Sequence, residues 1–444
     1  MAATTHVPPA TSLRDAYRAF DPKPLESGDP YFVDLTKARD SRAAEKLRDT
    51  IEFCEPGHAA IAFAGHRGSG KSTELLSLLY AMRHLCFGIY LDIIDYLDAS
   101  DLQYTDLFLL VARRVLDELR EAGIKLSSGL LKDVEKWFCE VTKETEETVE
   151  FAAGVSTEAS ARAEIPFIAR LLAKLTADIK VGSTSREKTR EELDHYFSTL
   201  VSYVNALVAD ASSKLKDRGR PSSILILLDN LDRVPSEKSE QLVFAHGSEL
   251  QSLPCHVVFT ISIDTYYSAK NIGTAFPHNL ILPNVKLRKG KSDAGRNEEG
   301  IRALLRVIER RMDIKALLEP PELAKRAVEL SGGSVRQLMR IMGEAILSAS
   351  SRKLNMLDAE AIEDGGRALR QEFQRILTPE DYKLLARTHE SKEIDKSEPY
   401  MQLLRNVSIL EYNGKDVWHD VNPLIEPIDA FQRAWSALAS SATT

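Results

Sequence analysis

The sequence predicts an α/β fold built on a parallel sheet, followed by a helical region and a small C-terminal module. Three observations carry this. Ala59–Ala64 is a short apolar run that passes into a glycine-rich loop and then a helical segment. Ile224–Leu228 and Val257–Ile263 are further short apolar runs, the pattern of strands buried on both faces. From Ile301 the apolar spacing is helical until a hairpin pattern near the C-terminus.

The elements follow in order. Ser12–Phe20 is weakly helical, and Asp21-Pro22-Lys23-Pro24 is extended because two prolines fix it. Ala43–Phe53 has helical period with Leu47, Ile51 and Phe53 as its apolar positions. A helix over Glu74–Met82, a strand over Phe87–Ile93 and a helix over Leu107–Arg120 come next. Residues 125–220 read as a mainly helical insertion. It carries an acidic run (Glu140, Glu144, Glu146, Glu147, Glu150), a partly alternating stretch over Ala152–Phe167 that suits a β-hairpin, and a helix over Glu187–Leu215. Leu280–Leu287 is another strand candidate, and Arg288–Gly300 a mobile loop. Thr378 suits a helix N-cap and Pro379 the first helical position. Two short helices (Asp381–His389, Pro399–Val407) then lead to a hairpin of Ile409–Tyr412 and Val417–Val421 around an Asn413-Gly414 type I′ turn. Helix, helix, hairpin is the order of a winged-helix module. Four units result: a tail and extended segment over 1–30, the sheet core over 31–300, a helical lid over 301–376, and the C-terminal module over 377–444.

Composition bounds the function. The 444 residues are 43% hydrophobic and 28% charged, which suits a globular chain of several domains and excludes a wholly disordered one. With 58 Lys+Arg against 66 Asp+Glu the net charge is −8, which argues against a surface coated for nucleic acid. Cys54, Cys86, Cys139 and Cys255 are scattered with no CxxC pair, so they read as reduced core thiols rather than a zinc site. No apolar run reaches about 18 residues and Met1–Pro9 lacks a secretory pattern, so the expectation is a cytoplasmic protein with no membrane partner.

The chemistry concentrates in Gly65-His66-Arg67-Gly68-Ser69-Gly70-Lys71-Ser72, followed by Thr73, which fits GxxxxGK[ST] between a strand and a helix. Glycines let successive N–H groups point at one anion, and the helix that starts there adds its positive end. Such a loop predicts ATP with Mg²⁺: Lys71 reaches the β/γ-phosphates and the Ser72 hydroxyl ligates the metal. Ser223–Leu228 ends in Asp229-Asn230-Leu231-Asp232-Arg233. Ligands sit at the carboxyl ends of such strands, so Asp229 is placed to hold the Mg²⁺ shell opposite Ser72, and Asp232 to polarise a water.

With at least one strand between these two in sequence, the chain looks like an AAA+ or STAND ATPase. The run Asp229–Arg233 resembles that of KAP-type ATPases and the Asp-Glu-x-Asp of origin-recognition ATPases. Those usually carry Glu where this chain has Asn230, so either Asp232 takes the base role or hydrolysis is slow and the protein is a nucleotide-gated switch. The resemblance implies that Thr260 or Ser262, on the strand over Cys255–Ile263, touches the γ-phosphate or the water. Ser331-Gly332-Gly333-Ser334-Val335-Arg336 resembles the start of a sensor helix, which implies that Arg336 folds onto the nucleotide from the lid. Arg306 and Arg310, four apart on one helix with Arg311 beside them, or Arg233, are finger candidates toward a second copy. Tyr31, Phe32 and Val33 resemble an adenine-proximal segment.

The resemblance further implies a homo-oligomer that controls a separate effector or partner protein, as in bacterial antiphage systems. The rival readings are an origin-type loader that acts on DNA and a non-hydrolysing scaffold. DNA is the less favoured partner, because residues 374–436 carry about eight Lys/Arg against about eleven Asp/Glu and only Lys415 sits at the hairpin tip. Tyr412 and Trp418 read as core.

Overall fold

The computed structural model describes residues 7–143, 166–183 and 186–441. Five strands form one parallel sheet: β1 Ala60–Gly65, β2 Cys86–Asp92, β3 Ser223–Asp229, β4 His256–Ser262 and β5 His278–Leu282. Their order is β2-β3-β4-β1-β5. β4 therefore lies between the strand that feeds the glycine loop and the strand that ends in Asp229, while β2, the strand between those two in sequence, is at the edge.

Strand alternation divides the sheet's side chains between two cores. Ala62, Ala64, Ile224, Ile226, Leu228, Val257, Phe259 and Ile261 pack against helices Tyr104–Glu121, Phe167–Val181 and Phe197–Asp217. Ile61, Phe63, Leu225, Leu227 and Val258 face helices Ala43–Cys54 and Lys71–Met82. Burial on both faces is why these strands read as unbroken apolar runs, with each large side chain contributing about 1.5–3 kcal/mol. Helix Ala43–Cys54 buries Leu47 and Ile51, but Phe53 is 85% exposed, contrary to its place in the apolar pattern. Two residues past Ile51, it projects from the far side of the helix.

The insertion is helical, with Ser128–Thr142 and Arg186–His195 beside the two helices already named. The segment expected as one helix over 187–215 breaks at Tyr196. Buried Arg190 ties the insertion to the core through Asp101 (2.7 Å) and Asp106 (2.6 Å). Glu144, Glu146, Glu147 and Glu150, and the proposed hairpin over 152–167 except its last two residues, lie outside the described residues.

β5 stops at Leu282 because Pro283 has no N–H to continue a ladder. The amides of Asn284, Val285 and Lys286 instead donate to the carbonyls of Glu411, Gly333 and Ala38. This short segment joins core, lid and C-terminal module. The lid helices Glu298–Glu309, Leu323–Leu330, Val335–Ser351 and Ala359–Ile376 share a third core with the C-terminal residues.

The C-terminal module has the winged-helix order: helices Pro379–Ser391 and Glu398–Arg405, the antiparallel pair β6 Ile409–Tyr412 and β7 Trp418–Val421, and helix Asp429–Ser441. Thr378 and Asp381 form a capping box with Pro379 in the first turn. Tyr412 pairs with Trp418, so the hairpin loop spans 413–417 and is not the two-residue type I′ turn expected. Neither Asn413 nor Gly414 has the positive φ that turn requires, and Asn413 donates its side-chain amide to Asp40 O (3.1 Å). Tyr412 and Trp418 are stacked and buried, as core residues. Helix Glu398–Arg405 turns Tyr400, Met401, Leu403 and Leu404 inward, and its Arg405 reaches Asp264 (3.0 Å) and Val234 O (2.7 Å) of the sheet core. No described helix is long and apolar enough to cross a membrane.

Candidate functional site

β1 ends at Gly65 and helix Lys71–Met82 begins six residues on, with Gly68 at φ +84° and Gly70 at φ +105° between them. Gly68 is also required sterically. A Cβ there would come within 2.3 Å of the Arg336 stem, which lies across it from the lid. The Arg336 N–H donates to Gly68 O (3.3 Å).

Lys71 is 4% exposed. Its Nζ donates to Gly65 O (2.8 Å) and His66 O (3.0 Å) and pairs with Asp232 Oδ2 (2.9 Å). The loop thus presents its lysine to a carboxylate of the chain itself. Burial works to raise the Asp232 carboxyl, but Lys71, with Arg67 and Arg233, outweighs it and holds the group below the usual range. Around this pair is a cavity of about 100 Å³ lined by Arg67, Lys71, Ser72, Arg233, Arg311 and Arg336, with the extended strap Asp21–Leu25 across it. Leu25 N–H donates to Thr73 Oγ1 (3.2 Å), which ties the strap to the loop. Burial and neighbouring cations lower the Arg67 and Arg336 guanidiniums, and burial takes Arg311 down to about 10. All three are cations at neutral pH. Ser69 Oγ and Arg67 Nε are buried with no hydrogen-bond partner among the described residues, which is the condition of groups awaiting a ligand.

Asp229 sits at the end of β3 opposite Asp92 of β2. Its Oδ2 accepts from Tyr90 OH (2.6 Å) and its Oδ1 from Asn230 N–H (2.7 Å). Asn230 stands at φ +64° and its side chain bonds Asp92, whose carboxyl burial raises. The ends of β2 and β3 therefore bring Asp92 and Asp229 together, of which the sequence reading named only Asp229; neither lines the cavity.

Several predicted residues lie elsewhere. Thr260 Oγ1 accepts from Leu231 N–H (3.1 Å) and donates to Leu228 O (3.3 Å), and Ser262 Oγ pairs with Thr265 Oγ1 (2.8 Å). Neither lines the cavity. Both brace the turn after β3 and the end of β4, because their hydroxyls are used by the backbone and by a neighbouring threonine. Tyr31 stacks under Arg311 (5.1 Å) and accepts from it through its carbonyl (3.2 Å), so Tyr31–Val33 do not face the cavity; the strap does. Arg306 and Arg310 are exposed, while Arg311, five residues past Arg306, turns inward.

His66 is turned away from the cavity. Its Nε2 accepts from Glu411 N–H of β6 (2.9 Å), so a glycine-loop side chain holds the C-terminal hairpin. Burial, helped by His419 and Lys71, pushes His66 down to about 3, which leaves its lone pair free to accept. Nearby, buried Glu411 faces His419 at 3.8 Å, and burial raises its carboxyl to about 7 although the Tyr267 hydroxyl donates to it. A folded-state pKa above the unfolded value gives stability that is complete only below the unfolded value and falls steadily from there as pH rises to about 7. His66 and His419, pushed down by burial to about 3 and about 4, contribute in the opposite sense, only below their unfolded values. Glu411→Gln is therefore expected to change little near pH ~4, below the unfolded value, and to stabilise the fold by about 3 kcal/mol near pH ~8, as read by urea denaturation at both. An equal effect at the two pH values would contradict the assignment.

Sequence reasoning missed several participants. Arg39 is 3% exposed, pairs with Glu74 (2.8 Å) and donates to Ser69 O under the loop. Nothing in its surroundings marks it in sequence. For Arg311 the signal was a third arginine beside an exposed pair; for the strap it was two prolines in an otherwise polar stretch.

One further cluster resembles a cation site. Glu55, Cys86 and His256 lie together at the opposite end of the sheet. His256 Nδ1 accepts from Ala59 N–H (3.1 Å), which places the ring proton on Nε2, and Nε2 is 2.8 Å from Glu55 Oε1. Both ring nitrogens are thus used, and burial raises the Cys86 thiol to about 12. The trio is a hydrogen-bonded joint between β4 and the end of helix Ala43–Cys54.

No protein-family model matches the chain and no curated protein is similar to it in sequence. Among solved structures it is similar to the ORC2 protein of Aeropyrum pernix in its ADPNP–ADP complexes. Identity is 10% and the TM-score 0.43, over 95% of this chain and 98% of that one. The ORC1 protein of Aeropyrum pernix in complex with DNA gives 10% and 0.40 over 98% and 99% of the two chains. A Walker-type ATPase of Pyrococcus abyssi gives 14% and 0.39 over 91% and 98%.

Proposed function

We propose that this chain binds ATP with Mg²⁺ at residues 65–73 and uses its hydrolysis to switch how core and lid sit together, thereby controlling a partner protein. One observation carries the reading. Six cations, Lys23, Arg67, Lys71, Arg233, Arg311 and Arg336, line one cavity at the carboxyl end of a parallel sheet and the start of a helix, against two carboxylates, Asp21 and Asp232.

A triphosphate would take the place of Asp232 at Lys71. The cavity, about 100 Å³, is below the ~300 Å³ of small-molecule pockets, so the strap Asp21–Leu25 and Asp232 both yield on binding. Released from Lys71, Asp232 orients the attacking water, and Arg336 meets the developing charge from the lid. Ser72 and Asp229 fit a metal: Ser72 lines the cavity, and the Asp229 carboxylate has accepted two hydrogen bonds out of about four it can take. Mg²⁺ held there would neutralise phosphate charge. Exposed Arg306 and Arg310 remain the candidates for reaching a second copy's nucleotide.

Two other readings have specific supports. Asn230, where related ATPases carry Glu, favours a non-hydrolysing scaffold. DNA loading draws only on the winged-helix order. Helix Glu398–Arg405, the one that would enter a groove, is packed on the sheet core through Arg405 and its buried residues, which counts against it. Control of an effector in antiphage defence is the setting that the sequence resemblance implies.

Titration with ATP and Mg²⁺ should give saturable binding, and Asp232→Asn should keep binding while slowing phosphate release by about 100-fold. Absence of saturable uptake would overturn the proposal. Binding without turnover in the native protein would move it to the scaffold reading.

A further inference from the structure

We propose that a groove on the C-terminal side of the molecule docks an acidic amphipathic helix of a partner protein. The groove lies between the last lid helix, Ala359–Ile376, and helices Pro379–Ser391 and Asp429–Ser441, and it encloses about 1090 Å³. It shares no lining residue with the glycine-loop cavity. The inference therefore stands independently of nucleotide binding, and it supplies the chemistry of the partner that the proposed switch leaves open.

Two properties of the lining fix the class of occupant. The floor is apolar: Leu377, Ile428 and Ala434 lie between the helices. The rim is cationic, with Arg367, Arg370, Lys383, Arg387 and Arg433 against one carboxylate of the lining, Asp429. Composition does not require this, because the stretch 374–436 is acidic overall. The cations have been sorted onto one face.

Three of those five cations make no ion pair among the described residues. Arg367 is paired with Asp364 and Lys383 with Glu380 (2.7 Å), but Arg370 spends its Nε on the carbonyl of Leu424 (3.2 Å). Arg387 and Arg433 are exposed and make no ion pair among the described residues. Like charges around an apolar trough repel one another and leave the trough wet. A ligand with one apolar and one anionic face relieves both conditions at once.

The shape favours a helix over nucleic acid. Three helices already frame the trough, and a fourth of about 10 Å diameter can lie along them with its apolar stripe on Leu377 and Ile428. A duplex would meet its phosphates at the rim but leave the apolar floor unmatched.

The test uses the full chain and fluorescence anisotropy. The probe is a labelled helical peptide of about 16 residues with Leu at helical spacing and Glu elsewhere; a Lys-for-Glu counterpart and a DNA duplex of about 20 base pairs are the controls. The expected result is saturable binding of the Glu peptide alone. A combined Arg387→Glu and Arg433→Glu variant should lose it by at least about tenfold while its thermal melting and ATP titration stay as in the native protein. Equal binding of the Glu and Lys peptides, binding unchanged in the variant, or no saturable binding would each overturn the proposal. A duplex bound more tightly than the Glu peptide, and released by the same variant, would assign the groove to nucleic acid and overturn it too.

Discussion

Lys71→Ala is expected to weaken ATP binding by about 100-fold or more. The lysine is the cation nearest the loop's carbonyls and the only partner that Asp232 has within ion-pair distance among the described residues. Removing it deletes a charge-assisted contact to phosphate, and it also takes from a buried carboxylate its one ion-pair partner among the described residues, leaving only the more distant Arg67 and Arg233. Breaking such a pair costs about 3–5 kcal/mol, so loss of binding could reflect loss of fold. Lys71→Ala combined with Asp232→Ala resolves this, because removing both charges restores the balance. The double variant should melt close to the native protein and still fail to bind. Calorimetric titration and thermal melting of both variants give the answer, and native affinity in a folded double variant would remove Lys71 from the site.

The second large effect is on stability. Gly333 has φ +87°, and a Cβ there would stand 1.9 Å from the carbonyl oxygen of Val285. Gly333→Val carries the left-handed penalty of about 1–2 kcal/mol and must also push away the segment that joins core, lid and C-terminal module. It would break the Val285 N–H to Gly333 O bond (3.2 Å) as well. A total loss of about 4 kcal/mol or more is expected in urea denaturation. Gly219 provides the control. It has φ +67° with no atom near its missing Cβ, so Gly219→Ala should lose only about 1 kcal/mol. Similar losses at the two sites would mean that the contact with Val285 is not what constrains Gly333.

The middle of the sheet was legible in the sequence because β1, β3 and β4 are buried on both faces and end at a glycine, a carboxylate and a hydroxyl. The loop 65–73 and Asp229 were legible because phosphate chemistry restricts residue types at fixed spacing. What escaped was set by long-range packing. Arg39 and Arg311 reach the site from segments whose local pattern is ordinary, and Tyr90 and Asp92 enter only because β2 pairs in register with β3. His66 occupies a position where the motif allows any residue, so its spacing carried no hint that it holds β6. For Thr260 and Ser262, alternation gave their face of the strand but not the carbonyl and hydroxyl groups that they bond. The hairpin turn failed because Asn413 found a partner in Asp40, some 370 residues away in sequence.

The placement of His66 has a thermodynamic corollary. Its backbone carbonyl and its ring belong to one rigid nine-residue loop, the carbonyl serving Lys71 and the ring serving Glu411. Equilibria that share a residue in this way are linked, and linkage is reciprocal. Whatever factor an anion at Lys71 imposes on the grip of the hairpin, a macromolecule drawing on the hairpin must impose on the anion's dissociation constant.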